Sequence, residues 1–140
     1  PYEKKLVEIL KSYGVDLVVL AGYDRLVGET LLDAFPMKVI NIHPALLPAF
    51  PGLNAQKQAL EYGVKVSGAT VFFVDLSVDG GPIILQDSCK VMEDDTVATL
   101  SDRILEIVHR ILPEAITLIA DNRLTVEGRR VRILTQDREK

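Results

Sequence analysis

Cysteine is nearly absent from this chain: among 140 residues only Cys89 carries a thiol. An intramolecular disulfide framework is therefore excluded, and a lone thiol fits a reducing, cytoplasmic setting. Long apolar runs are missing as well. None approaches the roughly 18 residues of a membrane span, and no segment reads as a secretory signal, so no membrane partner is expected. Positive charge is in short supply, with 16 Lys and Arg against 20 Asp and Glu, a net charge of −4 and a pI of 5.2. That balance argues against a broad nucleic-acid surface. Histidine is confined to His43 and His109, and with Cys89 they do not make metal-ligand spacing. No metal is expected. There is no internal repeat and no low-complexity segment. The chain opens on Pro1 rather than Met, so the natural start is expected to lie upstream.

What remains is an ordinary globular composition, 48% hydrophobic and 26% charged. One domain over residues 1–140 is long enough to bury a core. The pattern begins with an amphipathic helix over 2–13, on which Leu6, Leu10 and Tyr13 share a face and after which Gly14 is a C-cap. The apolar run 15–21 reads as a strand buried on both faces. A short helix over 28–34 and a second buried strand over 38–42 complete a βαβ unit with parallel strands. Residues 44–53 contain Pro44, Pro48, Pro51 and Gly52 and form a structured loop. A helix over 54–62 ends at Gly63. Residues 66–74 and 82–91 are β-rich and pair as an antiparallel hairpin across a wide loop. From Asp94 or Asp95 a long helix starts, its apolar positions Val97, Leu100, Ile104, Ile107, Ile111, Ala115 and Ile119 recurring at helical spacing. Asp94-Asp95 read as its cap and N-terminal charge. Pro113 is expected to kink or interrupt it. A final hairpin spans 122–134 with its turn at Glu127-Gly128, and the charged tail 136–140 is expected to fray. The fold class is α/β with a Rossmann-like mixed sheet flanked by helices.

Two runs carry the chemistry: Asn41-Ile42-His43-Pro44-Ala45 and Val78-Asp79-Gly80-Gly81-Pro82. Side chains alternate along a strand, so Asn41 and His43 face one way while Ile42 faces the core. Asp79 sits beside two glycines, where a loop turns sharply and leaves N–H groups free. An amide, an imidazole and a carboxylate suit stabilisation of an oxyanion and movement of a proton near neutral pH. Plain structural alternatives stand beside each. His43 can be a core histidine satisfied by backbone, Asn41 a strand-end cap, and Asp79 an Asx-type turn. Arg25 can be a solvated loop charge, His109 a helix-face residue and Cys89 a strand residue without thiolate activation.

These runs, with Leu20-Ala21-Gly22-Tyr23, Leu46-Leu47-Pro48, Phe50-Pro51-Gly52 and Ile83-Ile84-Leu85-Gln86, resemble the glycinamide ribonucleotide formyltransferases over nearly all 140 residues. Asn-x-His with a distant Asp is shared by the wider superfamily, including methionyl-tRNA formyltransferase and formyltetrahydrofolate hydrolase. The resemblance implies an N-terminally truncated formyltransferase fold, roughly the C-terminal two-thirds without the phosphate-loop segment. It implies a purine-synthesis enzyme that moves a formyl group from 10-formyltetrahydrofolate to the amine of glycinamide ribonucleotide. Asn41, His43 and Asp79 would be catalytic, Asp79 favouring the imidazolium form of His43. Leu20, Asp24, Arg25, Leu26, Val27, Asn41 and Val78 would line the folate pocket, together with the rest of the 75–79 loop. Three positions depart from the family: Asp24 where an apolar residue is usual, Phe72 where many members have His, and Val108 where a ribose-binding Glu is common. A valine accepts no hydrogen bond. The 140 residues alone are thus expected to transfer little formyl to the nucleotide, and to dimerise or require the missing N-terminal segment. The alternatives are a non-catalytic folate-binding or self-associating fragment, and a formyltetrahydrofolate hydrolase or other formyltransferase.

Overall fold

The computed structural model describes residues 2–21 and 27–134. Helix α1 spans Tyr2–Ser12 and ends where Gly14 turns with φ +68°, a conformation that suits glycine. Val7 and Leu10 lean on the core, but α1 buries no residue fully. Tyr13 does not share its apolar face. It lies past the helix end and is 82% exposed. Strand β1, Val18–Leu20, is shorter than the apolar run 15–21, because the Val15 N–H is still bonded to the Leu10 carbonyl at the end of α1. Helix α2, Glu29–Ala34, opens on Gly28, which has no capping side chain. Glu3 of α1 supplies the cap, accepting from Gly28 N–H at 2.5 Å and Leu31 N–H at 3.0 Å.

Strand β2, Val39–His43, lies parallel to β1 with Leu20 opposite Asn41, as a βαβ unit requires. After α3, Ala55–Tyr62, strand β3 (Val66–Phe73) runs antiparallel to β2, and β4 (Ile83–Lys90) antiparallel to β3. Helix α4, Val97–Ala120, then crosses to the hairpin β5, Leu124–Glu127, and β6, Arg130–Ile133. The six strands form one mixed sheet in the order β1-β2-β3-β4-β6-β5.

The two faces of this sheet differ in kind. Toward α4 point Ile40, Ala69, Val71, Phe73 and Ile84, packed on Leu100, Ile104, Ile107, Ile111, Ala115 and Ile119. On the other face Leu20 and Val39 pack with Leu31 and Phe35 under α1 and α2, and the same face continues into Asn41, His43, Thr70 and Gln86.

Pro113 does not interrupt α4. Its ring and His109, whose carbonyl loses its i+4 donor, both lie on the exposed side, so water can satisfy that carbonyl while Ile111 and Ala115 stay in the core. The Asp94-Asp95 pair is not the cap either. Thr96 is, in a reciprocal box with Thr99. Asp95 instead accepts from Met92 N–H, the Thr99 hydroxyl and the Arg103 guanidinium, which grips both carboxylate oxygens. Arg103 above all holds the Asp95 carboxyl well below the usual carboxylate range.

Candidate active site

The site lies at the C-terminal end of β2, where two loops meet. His43 is the last strand residue and is 5% exposed. Strand alternation puts Asn41 on its face. The first loop, residues 44–54, leaves the strand through Pro44 and doubles back over β3 and β4. The second, residues 74–82, joins β3 to β4 and carries Asp79.

Both nitrogens of the His43 ring have partners. Nε2 lies 2.7 Å from the Phe50 carbonyl oxygen. A carbonyl only accepts, so Nε2 carries a hydrogen. Nδ1 lies 3.5 Å from the Asp79 carboxylate, whose side chain is 16% exposed. With Nε2 committed to Phe50, Nδ1 is the nitrogen turned toward the carboxylate. The same Asp79 oxygen accepts from Gly52 N–H at 2.8 Å, so the first loop grips both members of the pair. Two of the residues involved sit in left-handed backbone, Phe50 at φ +53° and Asp79 at φ +53°. That region is costly for a bulky side chain and recurs where a site over-determines its geometry. The Asx turn in the second loop belongs to Asp75, which accepts from the Ser77 amide and hydroxyl. The Asp79 carboxylate is left for the ring and for Gly52.

Asn41 accepts from its neighbour, Ile42 N–H, at 2.7 Å through Oδ1. An N–H can only donate, which fixes the amide orientation. Among the described residues its Nδ2 has no partner, so two donor hydrogens remain on the His43 face.

Of the folate-pocket residues, Leu20 is 6% exposed and taken up in the core beneath α2, Val27 is half-buried beside it, and Val78 stands 58% exposed at the tip of the second loop. Asp24, Arg25 and Leu26 lie outside the described residues. Phe72, opposite Asn41 across the β2–β3 ladder, is buried, and Val108 packs half-buried against the main core. His109 is an exposed helix residue. Cys89 lies on β4, where burial pushes its thiol up, the reverse of an activated nucleophile. No group of three His, Cys, Asp or Glu among the described residues is arranged to hold a metal ion. No helix among them is long and apolar enough to cross a membrane.

Sequence reasoning missed Phe50, Gly52, Thr70 and Gln86 as parts of the site. Phe50 and Gly52 act through backbone atoms, which side-chain chemistry does not announce. Thr70 and Gln86 carry a readable signal. They sit opposite one another in β3 and β4, on the face shared by His43.

Residues 1–116 match the family model described as formyl transferase. The chain belongs to the formyl transferase family. Within it, the chain is 49% identical over 115 residues to phosphoribosylglycinamide formyltransferase of Bacillus subtilis, a stretch covering 82% of this chain and 59% of that protein. The solved glycinamide ribonucleotide transformylase 1 of Symbiobacterium toebii superposes with a TM-score of 0.92 at 63% identity, over 94% of this chain and 62% of that one. A formyltetrahydrofolate deformylase from Pseudomonas syringae pv. tomato superposes with a TM-score of 0.89 at 28% identity, over 94% of this chain and 44% of its own. The mixed sheet flanked by helices is the formyltransferase fold, and the chain spans about three-fifths of the Bacillus and Symbiobacterium proteins.

Proposed function

We propose that this formyltransferase chain moves a formyl group from 10-formyltetrahydrofolate to the primary amine of glycinamide ribonucleotide, a step of purine synthesis. The observation that carries the reading is the His43 ring, held between the Phe50 carbonyl and the Asp79 carboxylate beside the Asn41 Nδ2, which has no partner among the described residues. The amine attacks the formyl carbon, and the C–N bond forms as the carbonyl π electrons move onto oxygen. Asn41 Nδ2 donates to that oxyanion. His43, protonated at Nδ1 and balanced by Asp79, stabilises the same charge and then delivers its proton to the departing folate nitrogen as the old C–N bond breaks. The ammonium formed on the acceptor returns a proton to His43 Nδ1, so the ring ends as the imidazolium it began as and the formamide remains. Low exposure of His43 and Asp79 strengthens both interactions. No covalent bond to the protein is required. Val27 and Val78 offer apolar cover for the flat pteridine.

A second reading keeps the folate chemistry and replaces the amine by water. It is favoured by the close superposition on the deformylase and by the apolar Val108. One assay separates the two. The chain is incubated with 10-formyltetrahydrofolate, with and without glycinamide ribonucleotide, alone and supplemented with the part of the Bacillus subtilis relative that it does not span. Tetrahydrofolate release that requires the amine is the expected result. Release of formate at the same rate without amine supports hydrolysis. No turnover in any arm, together with no calorimetric binding of a folate analogue, overturns both.

A further inference from the structure

We propose that Gln86 is a positioning residue for the His43–Asp79 pair, acting through the 44–54 loop. The inference rests on the formyl-transfer reading only for its kinetic arm. Gln86 lies on β4 directly across from Thr70, and Thr70 lies directly across from His43. Its Nε2 carries two hydrogens and both are used: one on the Leu47 carbonyl at 2.8 Å, one on the Thr70 hydroxyl at 3.0 Å.

The Thr70 hydroxyl is completely buried and its bonding capacity is filled. It accepts from Gln86 Nε2 and from Leu47 N–H at 3.1 Å, and it donates to the Ala45 carbonyl at 2.7 Å. A hydroxyl has one hydrogen and two lone pairs. With both lone pairs taken by N–H donors, its hydrogen is forced toward Ala45. Gln86 therefore sets the direction of the Thr70 bond as well as making its own. Together they tie the near half of the loop, Ala45 and Leu47, to the sheet. The far half of that loop supplies the Phe50 carbonyl to His43 Nε2 and the Gly52 N–H to Asp79. The path from Gln86 to the reacting ring consists of hydrogen bonds and one short loop.

Gln86 is also solvent-exposed along part of its side chain, so replacing it leaves no cavity in the core. Removing its donors frees the Thr70 hydroxyl to rotate and releases the Leu47 carbonyl. The loop then holds Phe50 and Gly52 less tightly, and the His43 ring loses its fixed hydrogen at Nε2.

The test compares Gln86→Met, which removes both donors without charge, with Gln86→Lys, which restores a donor of similar reach. Imidazole nitrogen and proton resonances of His43 are recorded on the folded protein without substrate, alongside kcat and KM for 10-formyltetrahydrofolate. In Gln86→Met the slowly exchanging Nε2 hydrogen signal is expected to broaden or vanish and the tautomer populations to mix. The kcat should fall about tenfold with KM changed less than twofold, and Gln86→Lys should recover at least a third of it. If Gln86→Met folds poorly, Gln86→Glu provides the same donor loss with a polar side chain of equal length. An unaltered His43 signal in either donorless variant overturns the proposal, as does a Gln86→Lys variant no better than Gln86→Met. The resonance arm needs no turnover, so failure of the formyl-transfer reading leaves it intact.

Discussion

The two faces of strands β2 and β3 are built from alternate residues of the same segments, yet they are held by different forces. On the α4 face, Ile40, Val71 and Phe73 meet Leu100, Ile104 and Ile107 with essentially no polar atom among their side chains. On the opposite face, beyond the apolar Leu20, Val39 and Phe72, the buried groups are His43 and Thr70, each satisfied by a named partner. Apolar packing tolerates exchange of similar shapes. A hydrogen-bonded face does not, because an unpaired buried donor costs about 1–3 kcal/mol. One face can therefore carry stability while the other carries geometry. Substitutions should separate the two.

The largest expected effect is on the polar face. His43→Ala removes the proposed proton donor and should lower formyl transfer by about 10²–10⁴-fold. Asn41→Ala removes the proposed oxyanion donor and should cost about 10²–10³-fold. Asn41→Ala should leave the thermal midpoint within a few degrees, whereas His43→Ala, which strips a buried ring from the Phe50 carbonyl and Asp79, should also cost about 1–3 kcal/mol of stability, too little to account for the rate loss. Initial rates beside thermal melts check this. A midpoint drop that accounts for the rate loss would merge the two faces.

Leu100→Ala is the mirror experiment. Leu100 is completely buried against the sheet, and truncation at such a site typically costs about 2–5 kcal/mol. Chemical denaturation should register that loss, while the fraction still folded turns over at the wild-type rate. A slowed kcat in the folded fraction would mean that the α4 face sets the site geometry too.

Gly81→Ala should break the separation, with a smaller effect on each side. Gly81 is buried, and an added Cβ would overlap the Phe73 carbonyl oxygen on β3. That strand belongs to both faces, and Gly81 lies two residues from Asp79. Overpacking of this kind costs about 1–3 kcal/mol. The variant should lose stability and activity together.

Much of this division is legible in the sequence. The helical repeat from Leu100 to Ile119 and the apolar strands announce the α4 core, although Val97, at the same spacing in the first turn of α4, is exposed, and one-residue alternation separates Asn41 and His43 from Ile42. The β1–β2 and β3–β4 pairings follow from the short βαβ link and the hairpin, while the β2–β3 and β4–β6 contacts that join the pieces into one sheet are not announced. What the sequence does not announce is carried by backbone. Nothing in the letters Phe50 or Gly52 says that a carbonyl and an amide from them will hold the ring and its carboxylate. Tyr13 looked apolar by spacing but falls one residue beyond the helix. Pro113 looked like a break, but its exposed position leaves the freed carbonyl to water. Asp95 looked like a cap, yet a bidentate arginine eight residues on competes for it and Thr96 takes the helix end.

That arginine pair gives the smallest and last prediction, at a point remote from the site. The Asp95 carboxyl titrates below its ordinary value of 3.8, first because Arg103 donates to it and then because of the Met92 N–H. A carboxyl whose folded-state pKa is depressed binds its proton more readily in the unfolded chain. Its stabilisation is therefore fully present above about pH 4, the unfolded value, and is lost as pH falls through the folded value. In Asp95→Asn that titration is gone. Thermal midpoints should drop modestly at pH 7 and decline less steeply below pH 4 than in the wild type, with formyl transfer at pH 7 unchanged. Parallel acid limbs for the two proteins would mean that the Arg103 clamp contributes nothing to acid sensitivity. A changed rate at pH 7 would mean that the α4 end of the molecule reaches the His43 ring after all.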